Sequence, residues 1–200
     1  MTLRYGLIGC GMMGQEHLRN IALLPASAVT RIFEPDEAMA ARAIALAPGA
    51  QRCSSLEDVV TAEDVDCLVI TSPNHCHAAQ LQQIAQTRPL PVLMEKPACT
   101  NLAAVQALRQ LVASYPAPVW TAMEYRYMPP IARLLDEVRS QAACGSAVML
   151  SIREHRYPFL TKVGDWNRFA SNTGGTLVEK CCHFFDLMNV AVGSKPVRVI

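Results

Sequence analysis

The sequence predicts an α/β protein whose N-terminal part is a doubly wound parallel sheet, and three observations carry the prediction. A strand-like segment near the N-terminus runs into a glycine-rich turn and then a helix. Strand-like and helix-like segments alternate from there to about residue 122. The polar clusters of this stretch follow the strand-like segments, where open parallel sheets bind their ligands.

The elements follow in order. Leu3, Tyr5, Leu7 and Ile8 form an apolar run that ends at Gly9-Cys10-Gly11-Met12-Met13-Gly14. Over 15–24 apolar residues recur at helical spacing (Leu18, Ile21, Ala22) and stop before Pro25. A strand is predicted over 28–33, helices over 38–46 and 55–60, and a buried strand over 65–70. The polar stretch Thr71-Ser72-Pro73-Asn74-His75-Cys76-His77 leads into a helix through Ala85. A strand over 91–94 ends at Glu95-Lys96-Pro97, and a helix over 101–113 and a strand over 119–122 close the series.

Within this context the GxGxxG turn acquires chemical meaning. Gly9 permits the tight turn, Gly11 lets backbone approach a pyrophosphate, and Gly14 allows close helix–strand packing. Free N–H groups at the helix start then face phosphate oxygens. Glu34 lies twenty residues beyond Gly14, at the end of the second strand. A carboxylate there accepts hydrogen bonds from ribose hydroxyls and repels a 2′-phosphate, so NAD is favoured over NADP.

Composition excludes some classes. Hydrophobic residues make up 51% of 200 residues and charged residues 18%, as in ordinary globular proteins. The formal net charge of +1 gives no reason to expect nucleic acid or an anionic membrane as partner. No apolar run is long enough to span a bilayer, and the N-terminus lacks a secretory layout, so a cytoplasmic location is expected. Eight scattered cysteines without a CxxC pair (Cys10, Cys53, Cys67, Cys76, Cys99, Cys144, Cys181, Cys182) read as reduced thiols serving as small hydrophobes.

Two clusters invite a metal or thiol reading. In SPNHCH the adjacent His75, Cys76 and His77 diverge along any regular element, and helix capping by Ser72 or Asn74 is the expected local role. VEKCCHFFDLM is predicted to lie on a helix that follows Thr173-Gly174-Gly175-Thr176 and runs to about Val192. Glu179 and His183 are four apart and share a face there, with Leu187 continuing the stripe. Cys181 and Cys182 point elsewhere, so neither a metal site nor a paired cysteine nucleophile is expected. Asp186 follows His183 by three residues, where it orients that ring or meets substrate. Glu95 and Lys96, at the mouth of a buried strand, read as functional charges.

The four stretches GLIGCGMMG, TSPNHCH, MEKP and TGGTLVEKCCHFFD, in this order and spacing, resemble the Gfo/Idh/MocA oxidoreductases. The resemblance runs from residue 6 to 186. It implies a Rossmann domain over 1–122, then the start of an α/β open-sheet domain over 123–200 that carries substrate and forms a homo-oligomer. It implies that Gly9, Gly11 and Gly14, with backbone from Met12 and Met13, hold the dinucleotide. Ser72, Asn74 and His77 match a loop along the cofactor, and Glu95, Lys96 and Pro97 match a motif with a catalytic lysine and a typically cis Lys–Pro bond. Arg126, Trp166 and Arg168 match positions near the cofactor, and His183 matches the catalytic histidine. Glu179 stands where the family often has aspartate. The family normally continues with further strands and a helix, so the sequence reads as a fragment or truncated product, with 123–200 offering one β-α-β unit that ends in a strand over 197–200.

The implied function is hydride transfer between a sugar, polyol or related hydroxy compound and a nicotinamide cofactor. Histidine ordinarily titrates near neutrality, which makes His183 the expected base. Lys96 either donates to the developing alkoxide or accepts the proton itself, and the sequence leaves both open. Arg153, His155, Arg156 and Tyr157 are expected to line or flank the substrate. A nucleotide-sensing regulator on the same fold, a metal-binding protein and an NAD-dependent glycosidase are the competing readings.

Overall fold

The computed structural model describes residues 2–142, 145–155, 157–158 and 160–199. Cys144, Arg156 and Ile200, named above, lie outside the described residues.

Six parallel strands form one sheet: β1 (Leu3–Ile8), β2 (Ser27–Phe33), β3 (Gln51–Cys53), β4 (Cys67–Ile70), β5 (Val92–Met94) and β6 (Val119–Thr121). Their order is β3-β2-β1-β4-β5-β6. The chain therefore reverses direction across the sheet between β1 and β4. In a doubly wound fold the loops beyond the carboxyl ends of those two strands part there and leave a crevice.

The helices of the first half are α1 (Met12–Ala22), α2 (Glu37–Leu46), α3 (Leu56–Thr61), α4 (His77–Thr87) and α5 (Leu102–Ser114). Alternation along the strands feeds two cores. Leu7, Ile32 and Val69 pack with Leu18 and Ile21 of α1 and Ala43 of α2. Ile8, Leu68, Ile70 and Met94 pack with Val59 and Val60 of α3, Leu81 and Ile84 of α4, and Leu108 of α5. Helix starts are set locally. Asp36 accepts from the Met39 N–H, Asn101 from the Ala104 N–H, and Ser55 with Asp58 forms a capping box.

The region after β6 differs from expectation. Helices α6 (Pro129–Ser140), α7 (Ala170–Thr173), α8 (Thr176–Glu179) and α9 (Cys182–Val192) are present, but no described residue after Thr121 belongs to a strand. The expected β-α-β unit, its final strand at 197–199 and the open sheet through which an oligomer would form are therefore not observed. A strand is stable only when a neighbour satisfies its ladder and covers one face. Here Val148, Met149, Val197 and Val199 are almost wholly exposed, so nothing covers them.

The long helix expected from after Thr176 to about Val192 is also broken. The Thr176 carbonyl accepts from both the Lys180 and the Cys181 N–H, so the turn takes in an extra residue, and Lys180 leaves regular helical geometry at φ −113°. The extra residue divides the helix, so that Glu179 ends α8 and His183 belongs to α9.

Candidate active site

A cleft of about 1390 Å³ runs across the carboxyl ends of the strands, from Gly9, Gly11, Met12, Met13 and Glu34 at one end to Lys96, Glu179 and His183 at the other. Ser72, Asn74, Glu95, Tyr157 and Trp166 line it between or beside these.

The glycine turn can be tested for a dinucleotide by asking what side chains would do there. Gly9 has φ +86°, and a Cβ on it would sit 2.5 Å from the Ser72 nitrogen. A Cβ on Gly14 would sit 2.5 Å from the Gly9 carbonyl oxygen. Both glycines are demanded by packing within the protein, and Gly14 and His77 are not among the residues lining the cleft. Gly11 differs, because a Cβ there meets nothing within 4 Å and the space over it belongs to the cleft. It also starts α1 with no side-chain cap, which leaves helix N–H groups for an anion. Buried Glu34 accepts from the Cys10 N–H at 2.5 Å and the Asp36 N–H at 2.9 Å. One backbone donor per oxygen leaves lone pairs free for ribose hydroxyls. These residues fit an NAD-type cofactor.

The loop after β4 does not cap a helix as expected. Ser72 Oγ donates to Gln80 Oε1 at 2.5 Å, and neither the 3₁₀ turn Asn74–Cys76 nor α4 begins with a side-chain cap bond. Pro73 precedes the turn, and Ser72 is drawn one turn along α4, so neither side chain is available to the first N–H groups. Asn74 is buried, and its Nδ2 has no hydrogen-bond partner although it lines the cleft. Fully buried His77 faces two carbonyls, Pro97 O from Nδ1 at 2.8 Å and Ser72 O from Nε2 at 2.9 Å. It joins the two cleft loops from behind, and burial lowers its pKa.

The Lys96–Pro97 peptide is cis. Lys96 Nζ donates to the Glu179 carbonyl oxygen at 3.1 Å, tying the strand-end loop to α8. Glu95 Oε1 lies 2.9 Å from His17 Nε2 on α1, and its other oxygen accepts from the Lys96 N–H. Burial pushes Glu95 upward, but the His17 contact and Lys96 outweigh it and leave its pKa lowered.

His183 is 2% exposed. Its ring stacks on Tyr125 with centroids 4.1 Å apart and planes within 7°. Nε2 lies 3.5 Å from Glu124 Oε1, and Nδ1 is sealed without a partner among the described residues. Burial, then Lys96 and Lys180, push its pKa down to about 4. The expected titration near neutrality is thus corrected, and the ring is neutral at physiological pH. Buried Lys180 donates to the Tyr125 hydroxyl and pairs with Glu154 at 3.1 Å. Lys162 lines the same end, its pKa lowered by burial and by Lys96.

Two expected site residues lie elsewhere. Arg126 and Asp186 pair with each other and line a separate hollow beside β6, with Trp120 and Met123. Each neutralises the other, which explains why neither turns to the main cleft. Trp166 lines the cleft and meets His75 edge-on. His155 lines it too, whereas Arg153 is exposed outside it and Arg168 faces Asp165 at 4.0 Å. His17, Glu124, Tyr125, Lys162 and Lys180 were not singled out from sequence. Glu124 and Tyr125 adjoin Arg126, and Lys180 sits inside the EKCCH motif, so proximity to motif residues was their only signal. Among the described residues no group of three His, Cys, Asp or Glu side chains could hold a metal ion. No described helix is long and apolar enough to cross a membrane.

Residues 3–123 match a family described as an oxidoreductase family with an NAD-binding Rossmann fold. The chain is 32% identical over 201 residues to an inositol 2-dehydrogenase of Corynebacterium glutamicum, a match covering 99% of this chain and 56% of that protein. A solved myo-inositol dehydrogenase from Corynebacterium glutamicum superposes with a TM-score of 0.77 at 25% identity, covering 95% of this chain and 55% of that one. The Lactobacillus casei myo-inositol dehydrogenase, solved with NAD(H) and myo-inositol, shares the fold at 17% identity and a TM-score of 0.76 over 96% of this chain and 55% of that one. The chain spans little more than half the length of these relatives.

Proposed function

We propose, since this chain belongs to the Gfo/Idh/MocA oxidoreductase family, that it serves an NAD-dependent dehydrogenase acting on a CH–OH group of a polyol or sugar, with an inositol as the first compound to test. The observation that carries this reading is one continuous cleft holding an open glycine turn at one end and Lys96 and His183 at the other.

In this reading Gly11 and the uncapped start of α1, with the N–H groups of Met12 and Met13, receive the pyrophosphate, while Gly9 and Gly14 shape the turn. Glu34 takes the adenosine ribose hydroxyls and favours NAD over NADP. Ser72, Asn74 and Trp166 line the path toward the nicotinamide, and the free Asn74 amide is a donor awaiting an acceptor. NAD when bound supplies the hydride acceptor. His77 joins the two loops from behind, and Glu95, which lines the cleft, ties the loop after β5 to α1.

Oxidation of a CH–OH group needs an acceptor for the hydroxyl proton and a donor for the oxygen as charge develops. His183, neutral at physiological pH, accepts the proton. Lys96, held by the Glu179 carbonyl, donates to the reacting oxygen. Glu179 contributes that backbone oxygen and lines the same end of the cleft as His183. Tyr157 extends the wall on the substrate side. Arg126 and Asp186 brace α9 against the segment after β6. The reading includes a division between cofactor and substrate parts near 122/123 and a cytoplasmic location.

The test is NADH formation by the purified chain with myo-inositol and a panel of sugars, polyols and amino sugars. NAD-dependent turnover that is lost in Lys96→Ala supports the reading. Tight NAD binding with no turnover on any member of the panel defeats the enzymatic part and favours a nucleotide sensor.

A further inference from the structure

If His183 takes a proton in the reaction just proposed, it has to lose that proton before the next turnover, yet the ring is almost sealed. It is 2% exposed, Tyr125 covers one face, and Nδ1 is shut away without a partner among the described residues. Only the Nε2 edge can exchange a proton with anything mobile. At that edge lies Glu124, whose Oε1 is 3.5 Å away and whose side chain is 48% exposed. Glu124 lines the cleft and touches solvent as well.

We propose that Glu124 is the relay through which His183 discharges its proton to water. The inference rests on the dehydrogenase reading and extends it. The step balances simply. The substrate O–H bond breaks as Nε2–H forms, and Nε2–H then breaks as O–H forms on Glu124, restoring the neutral ring. Water finally takes the proton from Glu124 and restores the carboxylate. The direction is downhill. Burial, then Glu95, raise Glu124 above the usual carboxylate range, whereas burial and two lysines hold His183 at about 4. An imidazolium therefore gives its proton to this carboxylate readily, and a distance of 3.5 Å needs only a small approach to become a hydrogen bond.

The charged groups that act on His183 are engaged elsewhere. Glu95 is engaged by His17, Lys180 by Tyr125 and Glu154, and Asp186 by Arg126. Lys96 is held by the Glu179 carbonyl oxygen. Tyr125 is the positioning residue of this arrangement, since its stacked ring fixes the plane in which Nε2 points at Glu124.

The test measures how fast His183 Nε2 takes up and releases a proton, read from the exchange broadening of its ring nitrogens on the acid side of neutrality, by NMR on the whole chain labelled with ¹⁵N-histidine and without turnover. Glu124→Gln keeps size and polarity but cannot carry a proton through. It should slow the exchange by at least about tenfold, the low side of what a positioned acid–base group contributes. Glu124→Asp should recover part of the rate, and sodium acetate should recover it in Glu124→Ala, neither of which a purely structural role predicts. An unchanged rate in Glu124→Gln, or slowed exchange that neither Asp nor acetate improves, overturns the relay. Steady-state NADH formation from myo-inositol is read separately. Its absence in the unmodified protein counts against the dehydrogenase, while the exchange rates still decide the relay.

Discussion

Replacing His183 with Phe should flatten the acid side of the stability curve, because His183 is folded as a neutral ring. Its pKa falls from the ordinary 6.5 to about 4, through burial first and then Lys96 and Lys180, with Glu95 and Asp186 opposing and Glu124 at its Nε2 edge. Above pH 6.5 neither folded nor unfolded protein binds a proton there, so stability does not depend on pH through this group. Between pH 6.5 and 4 the unfolded chain is protonated and the folded one is not, so stability falls as the medium is acidified. A difference of about 2.5 pKa units integrates to roughly 3 kcal/mol by pH 4, of which about 2 kcal/mol is lost by pH 5. Urea unfolding at pH 7 and pH 5 measures this. His77 is also depressed, but it is present in both proteins and cancels in the difference. The unmodified protein should lose about 2 kcal/mol more than His183→Phe over that interval. Equal losses would mean that His183 is protonated in the folded state near neutrality, and the assignment of a neutral base would fail with it.

Other outcomes follow from the same geometry. Gly9→Ala sets a Cβ 2.5 Å from the Ser72 nitrogen at φ +86°, and thermal unfolding should show a loss of at least roughly 1–3 kcal/mol. Gly11→Ala meets nothing within 4 Å, so it should leave the melting temperature unchanged and weaken NAD binding in calorimetry. NAD(H) should bind more tightly than NADP(H), and Glu34→Ala should narrow that gap; tighter NADP(H) binding in the unmodified protein would contradict the role given to Glu34. Lys96→Ala should reduce kcat by roughly 10²–10⁴, whereas Cys182→Ala, which removes only a weak thiol contact to backbone carbonyls, should preserve it. Lost turnover with intact folding in Cys182→Ala would revive the thiol reading.

Most of the alternating first half was legible because its other strands are compact apolar runs and its helices have a cap or a breaker beside them. The strand Gln51–Cys53 left no such trace, since three residues with two exposed polar side chains carry no periodicity. The break between α8 and α9 was illegible for another reason. EKCCH obeys helical spacing, and only the shared Thr176 carbonyl and the pull of Tyr125 and Glu154 on Lys180 divide it. The glycine turn, Glu34, Lys96 and His183 were readable because motif and position agree. Glu124 and Tyr125 were not, because their roles arise from a contact across some sixty residues with a histidine that sequence alone leaves on another element.

His77 sets an arithmetic problem that the two loops share. A neutral imidazole carries one N–H, and burial keeps this ring in the neutral form near neutral pH. Two carbonyls nevertheless claim it, one from the loop after β4 and one from the loop after β5. With a single hydrogen to offer, the ring can latch one loop and leaves the other carbonyl facing a lone pair. Moving that hydrogen from one nitrogen to the other hands the latch across, so the tautomer is a two-position selector between the strip that faces the cofactor and the strip that carries Lys96.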